Sequence, residues 1–282
     1  GRRGAVAAAR CQPQRRGHVV RGRGPGHVLL VGQHEQRGGG QAGFGEEVHA
    51  WHLWLQRAIA GNPAQMSIMY GLSGKRRLPE WEVPWLPGYQ GARPVRVGNA
   101  AVEHLQHDIY GEMVLTLTPI FLDERLASDR SPMVLQLMEA LTQKAIAVAG
   151  TPDAGIWEYR TEWKPQTFSS LMCWAAADRM ANIASRHAPH HELEFREAAE
   201  RIRQEICAKA WSDRARSFGG HYEGDDLDAS LLQMARLRFL PSDEPRLHST
   251  IDAIRANLAD GALLFRYQVN DGFGKPSVAF LI

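Results

Sequence analysis

At 282 residues and a formal net charge of +2, the chain is long enough for one large domain or two ordinary ones, and so small a charge excess does not point to nucleic acid. Its 44% hydrophobic and 23% charged residues are those of a globular protein with a substantial core. Three widely spaced cysteines (Cys11, Cys173, Cys207) suggest neither a disulfide framework nor a metal knuckle and fit a reducing, cytoplasmic compartment; no apolar run nears the roughly 20 residues of a membrane span.

Residues 1–42 differ from all that follows. They are Arg/Gly/Gln/His text, as in GRRGAVAAARCQPQRRGHVVRGRGPG, in which Glu35 is the only acid. Three readings stand open: a GC-rich gene translated out of frame, a disordered tail too apolar-poor to offset its ordering, or a basic arm for phosphate backbones. The arginines precede no apolar segment of a signal peptide. Coherent text begins at about residue 43, so 43–282 is read as the folded part of the chain.

Helical periodicity then runs through most of the chain. Glu46–Ala60 is amphipathic through Val48, Trp51, Leu55 and Ile59. Asn99–Leu117 carries Ala101, Leu105, Ile109 and Met113 at near-helical spacing. Pro132–Val148 starts from a candidate Ser131 cap, with proline at the first helical position. Gln166–His187, Glu192–Trp211, Asp228–Phe239 and Pro245–Leu258 follow, and Pro276 looks like the start of another helix. Strand signals are few. The connections alternate between short turns and long polar-aromatic loops, and Met66–Gly98 spans about thirty residues, a length usually reserved for function. That alternation suggests an all-α toroid whose loops gather on one face.

Three loops hold candidate chemistry. In YGLSGKRRLPEWEVPWLPGYQGARPVRVGN, Trp81, Trp85 and Tyr89 offer flat faces, and Arg93, Arg96 and Asn99 offer fixed donors, a combination suited to sugar rings. The same residues serve equally to pack the loop onto helices and to form ordinary ion pairs. In PDAGIWEYRTEW, Glu158 lies between Trp157 and Tyr159. A carboxyl desolvated by aromatics is favoured in its protonated form and can donate to a leaving oxygen; the alternative is a plain ion pair with Arg160. In LLFRYQVNDGFGKP, Arg266, Tyr267, Asn270 and Asp271 sit in a glycine-punctuated turn. GFGKP lacks the spacing of a phosphate loop. His187, His190 and His191 beside Pro189 read as solvated capping residues, and no metal site or cofactor is indicated.

Taken together, IMYGLSGKRRLPEWEVPWLPGYQGARPVRVGNAAVEHLQHDIYGE, TPDAGIWEYR with QTFSSLMCWAAADRMANIA, DLDASLLQMARLRFLPSDEPRLHSTIDAI and RYQVNDGFGKPSVAF resemble glycoside hydrolase family 15, the glucoamylase and bacterial trehalase-like family. The resemblance implies an (α/α)6 toroid and hydrolysis of terminal α-glucosidic bonds with inversion. One carboxylic acid protonates the glycosidic oxygen while a second carboxylate, about 6.5–9.5 Å away, activates water. It assigns Glu158 as general acid, Trp157 as a wall of the sugar subsite, and Arg93, Arg96 and Arg266 as substrate-binding. The implied partner is an α-glucoside or α-glucan, with neither nucleic acid nor membrane.

Two family features have no counterpart in the sequence. An upstream block of the type NWDYRYCWLRD is replaced by the Arg/Gly-rich text. No residue matches the downstream glutamate that serves as catalytic base. The expectation is therefore a partial toroid, the central fragment of a longer catalytic domain with little activity alone. A non-catalytic carbohydrate-binding or scaffold remnant of the family is the alternative.

Overall fold

The computed structural model of the chain describes residues 27–29, 45–59, 66–71, 76, 78–159, 162–271 and 274–279. Apart from the short strand β1 (His27–Leu29), the Arg/Gly-rich segment lies outside the described residues. β1 pairs antiparallel with β2 (Met69–Gly71).

Helix α1 (Gly45–Ile59) buries Leu55 and Ile59 completely and stacks Trp51 on Trp54 at 5.2 Å. The expected Asn99–Leu117 helix is instead two pieces. Asn99 accepts a hydrogen bond from Ala101 N and opens a 3-10 turn, Ala100–Glu103, after which His104 is extended. Helix α2 starts only at Asp108 and runs to Leu122. The misreading has a physical cause: Leu105, counted as part of the apolar stripe, is 56% exposed. Its carbonyl accepts from Ala154 N (2.9 Å), so this segment serves as a tie for a neighbouring loop.

Helices α2 and α4 (Thr167–His187) are buried on nearly every face, as core helices must be. Their backbones meet so closely at Gly111 that a Cβ there would stand 2.1 Å from Met172 O. Helices α3 (Pro132–Val148) and α5 (Glu192–Lys209) each bury one stripe: Val134, Met138, Leu141 and Ala145 on the first, Phe195, Ala198, Ile202 and Ile206 on the second. α3 packs on α2 and α4, and α5 packs on α4. Two inner helices backed by amphipathic outer ones give the hairpin layout of an (α/α)6 toroid, and the fold is all-α in that sense.

Boundary chemistry explains the ends. Ser131 Oγ accepts from Val134 N at 3.2 Å and Pro132 follows, so α3 begins where the sequence says. Past Glu244, Pro245 likewise opens α7 (Pro245–Leu258). The Asp228–Phe239 helix resolves into a 3-10 turn, Ala229–Leu232, and a short α6 (Gln233–Leu237), ended by Arg238 in the left-handed region. Residues 276–279 form no helix; Lys275 at the would-be cap has no acceptor to start one. Small antiparallel ladders join β3 (Trp81–Glu82) to β4 (Arg96–Val97), β5 (Trp211–Ser212) to β6 (Ser217–Phe218), and β7 (Ala259–Asp260) to β8 (Leu263–Leu264). No helix among the described residues is long and apolar enough to cross a membrane.

Candidate active site

The N-terminal ends of α2, α4 and the turn before α6 are laced together by the loops between them. Thr167, first in α4, donates its N–H to Gly220 O (2.9 Å) and its hydroxyl to Gly219 O (2.6 Å). Ala229 N donates to Arg266 O at 2.9 Å. The loop from Asp153 to Tyr159 crosses this junction.

Asp153 anchors the start of that loop. It is fully buried, and its Oδ2 accepts from His107 N (2.8 Å), just before α2, and from Ser169 Oγ (2.7 Å), in the first turn of α4. Burial pushes its carboxyl above the ordinary value, while those two hydrogen bonds pull the other way. The neighbouring Asp108 is pushed up to about 7 by burial and by Asp153. Glu112, one turn along α2, is raised well above its ordinary value by burial and by Asp108. Two buried carboxyls, Asp108 and Asp153, thus lie at the start of the loop.

Along the loop, Gly155 adopts φ 63°, and a Cβ there would meet Gln166 Cγ at 2.9 Å. Glu158 N donates to Gly155 O (3.0 Å) and Tyr159 N to Ala154 O (2.9 Å), closing a tight turn. Glu158 itself sits at φ 59°, in the left-handed region that a residue with a side chain rarely adopts. Strain of that kind persists only where the surroundings over-determine it, and it concentrates at functional sites.

The surroundings are specific. Trp157 Nε1 donates to Asp228 Oδ1 (3.0 Å) and Oδ2 (2.9 Å). Tyr267 packs on Tyr159 at 5.1 Å and edge-on to Trp157 at 6.1 Å. The Tyr267 hydroxyl donates to Asp271 Oδ2 (2.7 Å), which also accepts from Arg266 (3.1 Å). The Arg266 guanidinium lies over the Tyr267 ring at 4.9 Å, and its buried Nε–H has no hydrogen-bond partner among the described residues. Burial pushes both tyrosine hydroxyls up, so they stay protonated donors. A pocket of about 170 Å³ opens beside the cluster, lined among others by Tyr159, Lys164, Gln166, His221, Asp228 and Asn270. Within it Lys164 Nζ donates to His221 Nε2 at 3.2 Å.

The sequence-predicted residues thus divide in two. Trp157 and Arg266 meet in one cluster with Tyr159, Tyr267 and Asp271, and Glu158 stands in the turn between Trp157 and Tyr159. Arg93 and Arg96 lie in the β3–β4 hairpin, where Arg93 Nε donates to Pro87 O (3.4 Å) and Arg96 pairs with Glu80 (3.3 Å) and Glu82 (3.2 Å). Trp85 and Tyr89 are 75% and 83% exposed, so they do not pack that loop onto helices. Arg160, the alternative partner of Glu158, lies outside the described residues. Asp153 and Asp228 escaped the sequence reading. Asp228 was visible only as a helix-start residue, and nothing in the text announces its bond to a tryptophan 71 positions away.

Over 226 residues the chain is 35% identical to a trehalase of Mycolicibacterium smegmatis, covering 79% of this chain and 33% of the relative. It is 33% identical over 199 residues to a trehalase of Thermoplasma acidophilum, covering 69% of this chain and 33% of the relative. The chain therefore spans about a third of the length of these curated relatives. Among solved structures, a single-residue variant of a glycosidase superposes with a TM-score of 0.63 at 15% identity, over 86% of this chain and 64% of that one. A bacterial glucoamylase complexed with acarbose superposes with a TM-score of 0.53 at 15% identity, over 79% and 32%. The family model for glycosyl hydrolases family 15 matches residues 37–279, which take in the whole cluster and the β3–β4 hairpin. The chain belongs to glycosyl hydrolases family 15.

Proposed function

We propose that this chain supplies the proton-donating half of a glycoside hydrolase that releases glucose from terminal α-glucosidic bonds by inversion. Glu158 is the general acid: its carboxyl donates a proton to the glycosidic oxygen as the bond to the sugar breaks. Trp157, Tyr159 and Tyr267 give the apolar face on which a sugar ring rests. Arg266, Arg93 and Arg96 bind the hydroxyls of the substrate. The second carboxylate of an inverting pair has no matching residue in this sequence.

The observation that carries the reading is the strained backbone of Glu158, held beside Trp157 and Tyr267, whose polar groups are both tied to buried carboxylates. Support comes also from the family and from relatives that are trehalases. Glucose release from trehalose, maltose and isomaltose tests it. The chain is expected to turn over slowly, and Glu158→Gln is expected to remove about 10²–10⁴-fold of what remains. Turnover that the variant leaves unchanged would overturn the assignment.

A further inference from the structure

Asp228 is 3% exposed and belongs to a loop far in sequence from Glu158. Its Oδ1 accepts from Ser230 N at 2.8 Å and so caps the 3-10 turn Ala229–Leu232, a task that needs one oxygen only. The carboxylate also accepts the indole N–H of Trp157, which is shared between Oδ1 (3.0 Å) and the otherwise uncommitted Oδ2 (2.9 Å). The next residue, Ala229, donates its N–H to the carbonyl of Arg266. One dipeptide therefore fastens both the loop that carries Glu158 and the loop that carries Arg266.

Such a bond is strong because the acceptor is charged and the site is shielded from water. Burial pushes the Asp228 carboxyl upward, and the hydrogen bonds from Ser230 and Trp157 oppose that shift. The left-handed backbone of Glu158 carries a strain that its surroundings must offset. Its own turn supplies two backbone hydrogen bonds, and the residue before it is immobilised through its ring.

We infer that Asp228 is a positioning residue: by holding the Trp157 indole it fixes the strained turn that presents the Glu158 carboxyl, and it sets the register of that turn against Arg266. The inference rests on the reading of Glu158 as proton donor and adds to it a carboxylate from a distant loop that acts through Trp157.

Amide hydrogen exchange in the full chain tests it. Asp228→Ala should speed exchange of the Glu158 and Tyr159 amides by about tenfold or more, the loss expected for a hydrogen bond to a charged group. The amides in the middle of α4 should be unaffected. Asp228→Asn keeps an acceptor and should restore most of the protection. Trp157→Phe removes the same bond while leaving the Ser230 cap intact, and it should reproduce the local effect even if Asp228→Ala folds poorly. On the catalytic side, Asp228→Ala should lose about tenfold more rate on trehalose than on α-glucosyl fluoride, whose leaving group needs little protonation. The proposal is overturned if neither Asp228→Ala nor Trp157→Phe changes the Glu158 and Tyr159 amides, or if asparagine is no better than alanine. A Glu158→Gln variant with undiminished turnover, alongside the expected exchange pattern, would instead refute the assignment of the acid and leave the clamp standing.

Discussion

Two loops of this chain place aromatic residues beside charged ones, and they are built in opposite ways. From Asp153 to Tyr159 each polar anchor is a buried carboxylate with two or more hydrogen bonds, and the rings lean on a second loop. From Trp81 to Gly98 the aromatic rings stand in solvent, Arg93 reaches only a backbone carbonyl, and the half-exposed Arg96 pairs with Glu80 and Glu82. The first arrangement fixes a geometry, as a proton donor requires. The second leaves flat faces and donors accessible while contributing little to stability, since exposed ion pairs are worth about 0–1 kcal/mol. Similar residue types thus yield a rigid element or an adaptable one according to what covers them.

The sharpest way to break the contrast is Asp153→Ala. It strands the His107 N–H and the Ser169 hydroxyl, each at about 1–3 kcal/mol, so a loss of about 2–6 kcal/mol is expected in urea unfolding. Asp153→Asn should cost clearly less.

The buried carboxyls at the start of the loop give a pH signature next. Asp108 has its folded value raised to about 7 from 3.8, so its folded state holds a proton that the unfolded state releases first. Its contribution to stability is complete below pH 3.8, falls as pH rises, and is gone once pH passes about 7. Unfolding midpoints measured from pH 4 to 8 should therefore show a decline that is shallower in Asp108→Asn. An identical slope in both would mean that Asp108 ionises freely in the folded chain.

Tyr267→Phe is a smaller break. It removes one hydrogen bond to Asp271, which keeps Arg266, and about 1.5 kcal/mol should be lost in the same unfolding assay. Smallest of all, Arg96→Ala should shift stability by about 1 kcal/mol or less and diminish further in high salt. A larger loss would place that hairpin with the rigid loop.

How much of this was legible follows from the range of the forces involved. Ser131, Pro132 and Pro245 act within one turn of their own position, so the starts of α3 and α7 could be read directly. Leu105 misled because spacing alone cannot distinguish an exposed leucine in a tying segment from a buried one on a stripe. Trp157, Glu158 and Arg266 stand out through their local text. Asp153 and Asp228 do not, because their partners lie 16 to 71 positions away and a lone aspartate in a loop looks the same whether buried or solvated.

The most direct test of the central claim compares Glu158→Gln with the unaltered chain on two substrates. If Glu158 is the proton donor held by the clamped loop, the variant should lose about 10²–10⁴-fold on trehalose, whose departing oxygen must be protonated, and far less on α-glucosyl fluoride. Equal losses on both, or no loss on trehalose, would contradict the account.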